Sequence, residues 1–201
     1  HDGRYVFIQK LGSGGMSRLY LARDTRMDCN VVVKEMFPPQ NYPDKKAYFL
    51  DKFKNEAKIL FRLRHPGIPR VVDYFDENDN YYMVMEYIKG ENLDSALKSR
   101  PENKISLEEM FVWLKDILNI LKFLHMQDPP IFHRDIKPAN FMLESDRNEI
   151  FLVDFGVAKT IMTEQTHTRV GTIGFASPEH YTGKFIPSSD IYSLGASFHY
   201  F

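Results

Sequence analysis

The feature that most constrains this chain is a change of hydrophobic period near Tyr87–Glu91. Before it, apolar residues come in short β-branched or alternating runs, the mark of strands. Tyr5 to Leu11 and Ser17 to Ala22 flank a glycine cluster, and Asn30 to Met36 contains Val31-Val32-Val33 and leads into Lys34. Arg70 to Phe75 and Tyr81 to Glu86 are joined by Asp76-Glu77-Asn78-Asp79-Asn80, whose residue types favour a turn. One helix interrupts the strands. Asp44 can cap it, Phe49, Phe53, Ala57, Leu60 and Leu63 share a face, and His65-Pro66-Gly67 stops it. After Gly90 the helical period dominates. Leu107 to His125 is the clearest case, with Phe111, Leu114, Leu118, Leu121 and Leu124 spaced for one buried face. The expectation is an α+β chain in two unlike lobes, residues 1–87 strand-rich and residues 88–201 helix-rich.

Composition narrows the function classes. The 201 residues are 43% hydrophobic and 26% charged, enough for a real core. Lys+Arg 26 against Asp+Glu 27 leaves a net charge of -1, so no general attraction to nucleic acid or membrane surface is expected. Cys29 is alone, which excludes an internal disulfide and points to a reducing, cytoplasmic location. No apolar run is long enough to cross a bilayer. The start at His1 lacks an initiator Met, and the apolar helical run from Ile191 to Phe201 ends without a cap. The chain therefore reads as a piece of something longer, such as the cytoplasmic domain of a membrane protein, and that last run is expected to be buried.

Several polar residues sit where the apolar pattern makes them conspicuous. Leu11-Gly12-Ser13-Gly14-Gly15-Met16-Ser17 lies between two strands, which argues against a dinucleotide-binding turn, since that needs a helix directly after its glycines. A glycine hairpin can instead bring backbone N–H groups over phosphates, although it is equally a plain turn. Lys34 in its apolar strand needs an anion, and Glu56 on the following helix is the best candidate. A solvated lysine and a solvated glutamate are the plainer alternative for that pair taken alone. The decisive string is Ile131-Phe132-His133-Arg134-Asp135-Ile136-Lys137-Pro138-Ala139-Asn140, followed fourteen positions later by Asp154-Phe155-Gly156. Two carboxylates, a cation and an amide are what in-line phosphoryl transfer requires: an acceptor for the hydroxyl proton and oxygen ligands for a phosphate-bound cation.

On these residues the chain resembles the protein-kinase superfamily along its whole length. The resemblance implies a bilobal fold, with an antiparallel-sheet N-lobe carrying one main helix and a helical C-lobe that is incomplete here. It implies ATP with Mg²⁺ or Mn²⁺ as cofactors and protein serine or threonine hydroxyls as substrates. Asp135 matches the catalytic base, Lys137 the residue steadying the transferred group, and Asn140 and Asp154 the metal ligands, converging in a cleft between the lobes. Lys34 matches the phosphate-binding lysine paired with Glu56. Leu11, Gly12, Ser13, Gly14, Gly15, Leu19, Val32, Met85, Glu86 and Ile88 fall at nucleotide-binding positions, with Met85 as gatekeeper. His133 and Phe155 match an apolar spine, and Asp190 matches the acid that supports the catalytic loop.

Lys137, with Gly171-Thr172 ahead of Ser177-Pro178-Glu179, resembles the serine/threonine branch, and Gly14-Gly15-Met16 its bacterial members. Arg134 implies activation by a phosphate on the following loop, with Thr166 and Thr168 as the expected autophosphorylation sites and a homodimer for transfer in trans. Three positions depart from the pattern: Ser17 for a glycine, Leu19 for a valine and Ser177 for an alanine. Glu179, whose partner in the family lies further on, is expected to be buried and unpaired. The competing readings are a kinase-like binding module, a small-molecule phosphotransferase and an adaptor fragment. The first would lack Lys34, Asp135 or Asp154, all present, and the second lacks a segment like Gly171-Thr172 to Pro178-Glu179.

Overall fold

A computed structural model describes residues 3–13, 17–37, 46–78, 80–100, 105–155, 159–160, 172–179 and 186–200. Asp44 thus lies outside the described residues. The chain divides into two compact units, His1–Arg64 with Pro69–Tyr87, and His65–Ile68 with Ile88–Phe201.

In the first unit, β1 (Tyr5–Ser13), β2 (Ser17–Asp24), β3 (Cys29–Met36), β4 (Val71–Glu77) and β5 (Asn80–Glu86) form an antiparallel sheet in the order β1-β2-β3-β5-β4. The β2–β3 and β4–β5 turns contain Asp28 and Asn78, both at φ 51, the left-handed conformation that short Asp and Asn side chains tolerate best. One face carries Tyr5, Ala22, Val31, Val33 and Val84, with Phe75 and Tyr82 packed against them and stacked on each other at 4.9 Å. On the other face the register lines up Leu19, Lys34, Met83 and Tyr74 in one cross-strand row. Helix α1 (Lys46–Arg62) lies on that side, burying Phe53, Ala57 and Leu60, with Phe53 5.8 Å from Tyr74. Each large apolar side chain removed from water there contributes about 1.5–3 kcal/mol. Packing of this apolar face, more than helix propensity, thereby holds α1 with one side fixed.

The second unit opens with β6 (Gly90–Asn92) and α2 (Leu93–Lys98), whose first turn is capped by the Asn92 side chain accepting from Ser95 N at 2.9 Å. Helix α3 (Leu107–His125) starts at Ser106, whose hydroxyl accepts from Glu109 N at 3.2 Å. Short strands β7 (Ile131–Phe132), β8 (Phe141–Glu144), β9 (Ile150–Leu152) and β10 (Lys159–Thr160) follow, then α4 (Pro187–Tyr200). β6, β8 and β9 pair in the order β6-β8-β9, and β7 pairs with β10. Among the described residues no helix is long and apolar enough to cross a membrane.

Two expectations about helix faces are corrected. α3 buries Trp113, Ile117, Ile120, Leu121 and Leu124, whereas Phe111 is 61% exposed and Leu118 40%. Apolar residues surround nearly the whole helix, so periodicity offered several stripes, and the chosen one was turned by roughly a quarter of a turn. On α4 the buried side is mostly small and polar: Ser189, Asp190, Ser193 and Ser197 beside Leu194. Ser193 and Ser197 return their hydroxyl protons to the carbonyls of Ser189 and Ser193. Ile191 and Tyr192 are exposed rather than buried.

Gly90 is fixed by close approach. A Cβ there would collide with the backbone carbonyl of Leu143 on the neighbouring strand β8. Backbone cannot yield as a side chain does, so Gly90→Ala is expected to lower unfolding free energy by about 2 kcal/mol or more. Urea unfolding followed by circular dichroism measures this, and an unchanged midpoint would refute the close packing of β6 on β8.

Candidate active site

The polar residues singled out above fall into two groups, one in each unit. In the first, Lys34 Nζ lies 2.7 Å from Glu56 Oε1, both side chains under a tenth exposed. β3 delivers the lysine and α1 the glutamate. Glu56 reaches inward because it precedes Ala57 on the face that also buries Phe53 and Leu60. A buried cation and a buried carboxylate satisfy each other, and deleting either costs about 3–5 kcal/mol. Leu19 is the cross-strand neighbour of Lys34, and Met85 that of Val32. Leu11, Gly12 and Ser13 end β1, and no atom lies within 4 Å of where a Gly12 Cβ would stand. Gly14 and Gly15 lie outside the described residues. Glu86 is exposed at the end of β5 and accepts from Arg70 N at 3.4 Å. Ile88, buried, begins the main part of the second unit.

The second group is built on the loop between β7 and β8. Asp135 Oδ1 accepts from Thr172 Oγ1 at 2.6 Å, and Oδ2 lies 2.8 Å from Lys137 Nζ. Lys137 also donates to Thr172 Oγ1 at 2.8 Å. Asn140 Nδ2 donates to the Asp135 carbonyl at 2.7 Å and to Oδ2 at 3.1 Å. Pro138 starts the 3-10 turn that aims Asn140 back at Asp135, its fixed φ suiting the first turn position. Burial alone would raise the Asp135 carboxyl, but hydrogen bonds from Lys137, Thr172 and Asn140 hold it below the usual aspartate value. It is therefore an ionised acceptor. Val153 N donates to the Asn140 carbonyl at 2.8 Å, which sets Asp154 beside this loop.

Beneath the loop Asp190, fully buried at the start of α4, accepts from Arg134 N at 2.9 Å on Oδ1 and from His133 N at 3.0 Å on Oδ2. His125, the last residue of α3, places Nε2 2.8 Å from the same Oδ2. Two residues of this region have positive φ, Arg134 at 68 and Asp154 at 60. Such backbone costs of order 1–3 kcal/mol and persists only where surrounding bonds fix it. The paired N–H acceptors on Asp190 supply that for Arg134. Burial pushes the Arg134 guanidinium down to about 10, with Asp190 opposing. His133, wholly buried, packs edge-on to Phe155 at 5.0 Å, and burial keeps its imidazole neutral.

Thr166 and Thr168 lie outside the described residues. Glu179 departs from expectation: it is half-buried and accepts from Ser189 Oγ at 2.8 Å, so it is not an orphaned charge. His125 was missed altogether. The available signal was a histidine in the last turn of a helix, where a polar residue interrupts an apolar row.

The same sequence has clear relatives. It is 34% identical over 210 residues to serine/threonine-protein kinase B of Synechocystis sp., covering 98% of this chain and 36% of that protein. It is 34% identical over 199 residues to serine/threonine-protein kinase PrkC of Bacillus subtilis, covering 96% of this chain and 29% of that protein. The chain thus spans only about a third of the length of these relatives. Residues 5–201 match the protein kinase domain. With that match running through both the Lys34 and the Asp135 groups, the chain belongs to the protein kinase domain family.

Proposed function

We propose that this chain is the catalytic domain of a protein serine/threonine kinase that transfers the γ-phosphoryl group of Mg²⁺- or Mn²⁺-bound ATP to a protein hydroxyl. The observation that carries the reading is the ionised Asp135 carboxylate held between Thr172 and Lys137. A carboxylate so fixed can orient an incoming alcohol and accept its proton late, as the phosphoryl group moves. Lys137 supplies positive charge at the same carboxylate, where a transferring phosphoryl would otherwise be repelled. Thr172 spans Asp135 and Lys137 and favours a small aliphatic hydroxyl as acceptor.

Asn140 gives its Nδ2 to Asp135, which leaves its amide oxygen for a cation, and Asp154 adds a carboxylate. Hard oxygen donors few in number suit Mg²⁺, which keeps water and phosphate as its other ligands. The bound cation would neutralise phosphate charge. Lys34 would bind phosphate oxygens while Glu56 fixes its Nζ. Leu11, Val32, Met85 and Ile88 would supply the apolar contacts to adenine, and Glu86 the backbone groups that read its edge. Autophosphorylation at Thr166 or Thr168, in trans within a homodimer, would bring a phosphate to Arg134. The lone, exposed Cys29 and this use of ATP fit a cytoplasmic domain.

The full-length protein with radiolabelled ATP and myelin basic protein tests the reading. Transfer should require Mg²⁺ or Mn²⁺ and yield phosphoserine or phosphothreonine, with peptide mass mapping finding phosphate at Thr166 or Thr168. Lys34→Met combined with Glu56→Gln removes both buried charges together and should cut transfer by about 10²–10³-fold. A double variant as active as the parent, or transfer indifferent to chelation, would sink the assignment.

A further inference from the structure

None of the residues bonded around Asp135 lines a separate crevice of the second unit. This crevice, of about 450 Å³, is walled by the His65–Gly67 turn, by α3 from Asp116 to Phe123, and by Glu149 and Ile150. Its floor is rigid and apolar. Ile120 and Ile150 are almost wholly buried, and Leu152 N ties the Gly67 carbonyl to β9 at 2.8 Å. A Cβ at Gly67 would stand 2.6 Å from Ile120 Cδ1 and 2.9 Å from the Ile150 carbonyl, so glycine lets the turn close on the floor. Phe123 extends the apolar wall, its ring 5.0 Å from that of His65. His65 Nδ1 accepts from Gly67 N at 3.1 Å, and burial lowers its pKa, so it adds no charge.

The mouth is charged. Asp116, half-buried, has no hydrogen bond or ion pair among the described residues. Among the described residues the Glu149 carboxylate meets only the exposed Arg147, at 3.8 Å, a surface pair worth little. Lys122 is the single cation among the described residues lining the cavity, against two carboxylates. A half-buried carboxylate above an apolar floor is poorly served by water and is improved by a cation. The crevice is also open, with Asn119, Lys122 and the 72%-exposed Met126 at its rim. A small molecule would not be enclosed there as such ligands usually are, whereas side chains from an extended polypeptide need no enclosure.

We propose that this crevice docks an extended segment of a partner protein, with an aliphatic side chain seated on Ile120, Phe123 and Ile150 and a neighbouring arginine or lysine held by Asp116 and Glu149. The floor supplies affinity by removing apolar surface from water, and the two carboxylates supply register and selectivity.

Binding, measured without ATP, tests this separately from any transfer activity. The full-length protein is titrated into fluorescein-labelled nonapeptides with a central leucine and an arginine two residues away, followed by fluorescence anisotropy. Matched peptides carry glutamate for the arginine or serine for the leucine. Only the arginine–leucine peptide should bind, with Kd on the order of 10–100 μM. Asp116→Lys with Glu149→Lys should weaken that peptide by about 10-fold or more and shift preference to the glutamate–leucine peptide, at an unchanged melting temperature. The swap of preference cannot come from mere unfolding. The proposal fails if the arginine–leucine peptide does not bind, if charge reversal leaves the preference intact, or if n-hexylamine alone displaces the peptide at comparable concentration.

Discussion

Asp135→Asn is expected to lower the turnover number for phosphoryl transfer by about 10²–10⁴-fold, the range for loss of a positioned proton acceptor, while ATP affinity stays within a factor of about two. The hydrogen bonds predict how the variant settles. An asparagine has one acceptor oxygen where aspartate has two. Lys137 and the Asn140 amide can only donate toward Oδ2, so the oxygen must take that side. The new NH₂ then faces Thr172 Oγ1, which can accept from it and turn its own proton elsewhere. The loop therefore keeps its shape at a cost of about 1 kcal/mol, and the deficit falls on chemistry. Initial rates with a protein substrate, nucleotide titration and a thermal melt separate the terms. Near-normal turnover in a folded variant would remove Asp135 from the mechanism.

Asp190→Ala should act through stability, lowering it by about 3–5 kcal/mol, because the N–H groups of His133 and Arg134 and the His125 ring all lose their acceptor in a buried site. For a chain of this size that corresponds to a melting temperature roughly 10 °C lower. Asp190→Asn should fall between the two. His125 can change tautomer to meet an amide, but a backbone N–H cannot, so one of the two stays orphaned. Arg134 at φ 68 then has one fewer restraint, and turnover should fall further than KM changes. The pH dependence has a definite sign. Burial would raise the Asp190 carboxyl, but the His125 ring and the backbone N–H groups of Arg134 and His133 hold it below the usual aspartate value. A carboxylate lowered in the folded state stabilises above its unfolded pKa and loses that contribution as pH falls through the folded one. The gap between parent and Asp190→Ala should therefore be full at neutral pH and shrink below about pH 4. An equal gap at both ends would mean that packing, not charge, is what Asp190 provides.

Strand and helix positions were legible wherever one local rule acted alone. β1 to β5 follow alternation and turn chemistry, and Asn78 at φ 51 is the residue type such a turn calls for. α1 has a single apolar stripe, so its buried face was readable. The short strands β6, β7, β8, β9 and β10 were not seen as pairs, because two to four residues carry too little pattern to stand apart from loop.

What the sequence determined by itself was therefore local: the order of β1 to β5 with α1 and α3, and a set of polar residue types at a spacing that admits phosphoryl transfer. Tertiary structure alone decided which stripe of α3 turns inward, that Asp190 meets His125, that Glu179 meets Ser189, and that Gly67 closes a crevice against Ile120. The physical reason is range. Propensity and periodicity act within a turn or two of chain, whereas a buried acceptor such as Asp190 takes donors 56 to 65 positions away, whichever the packed core brings within 3 Å.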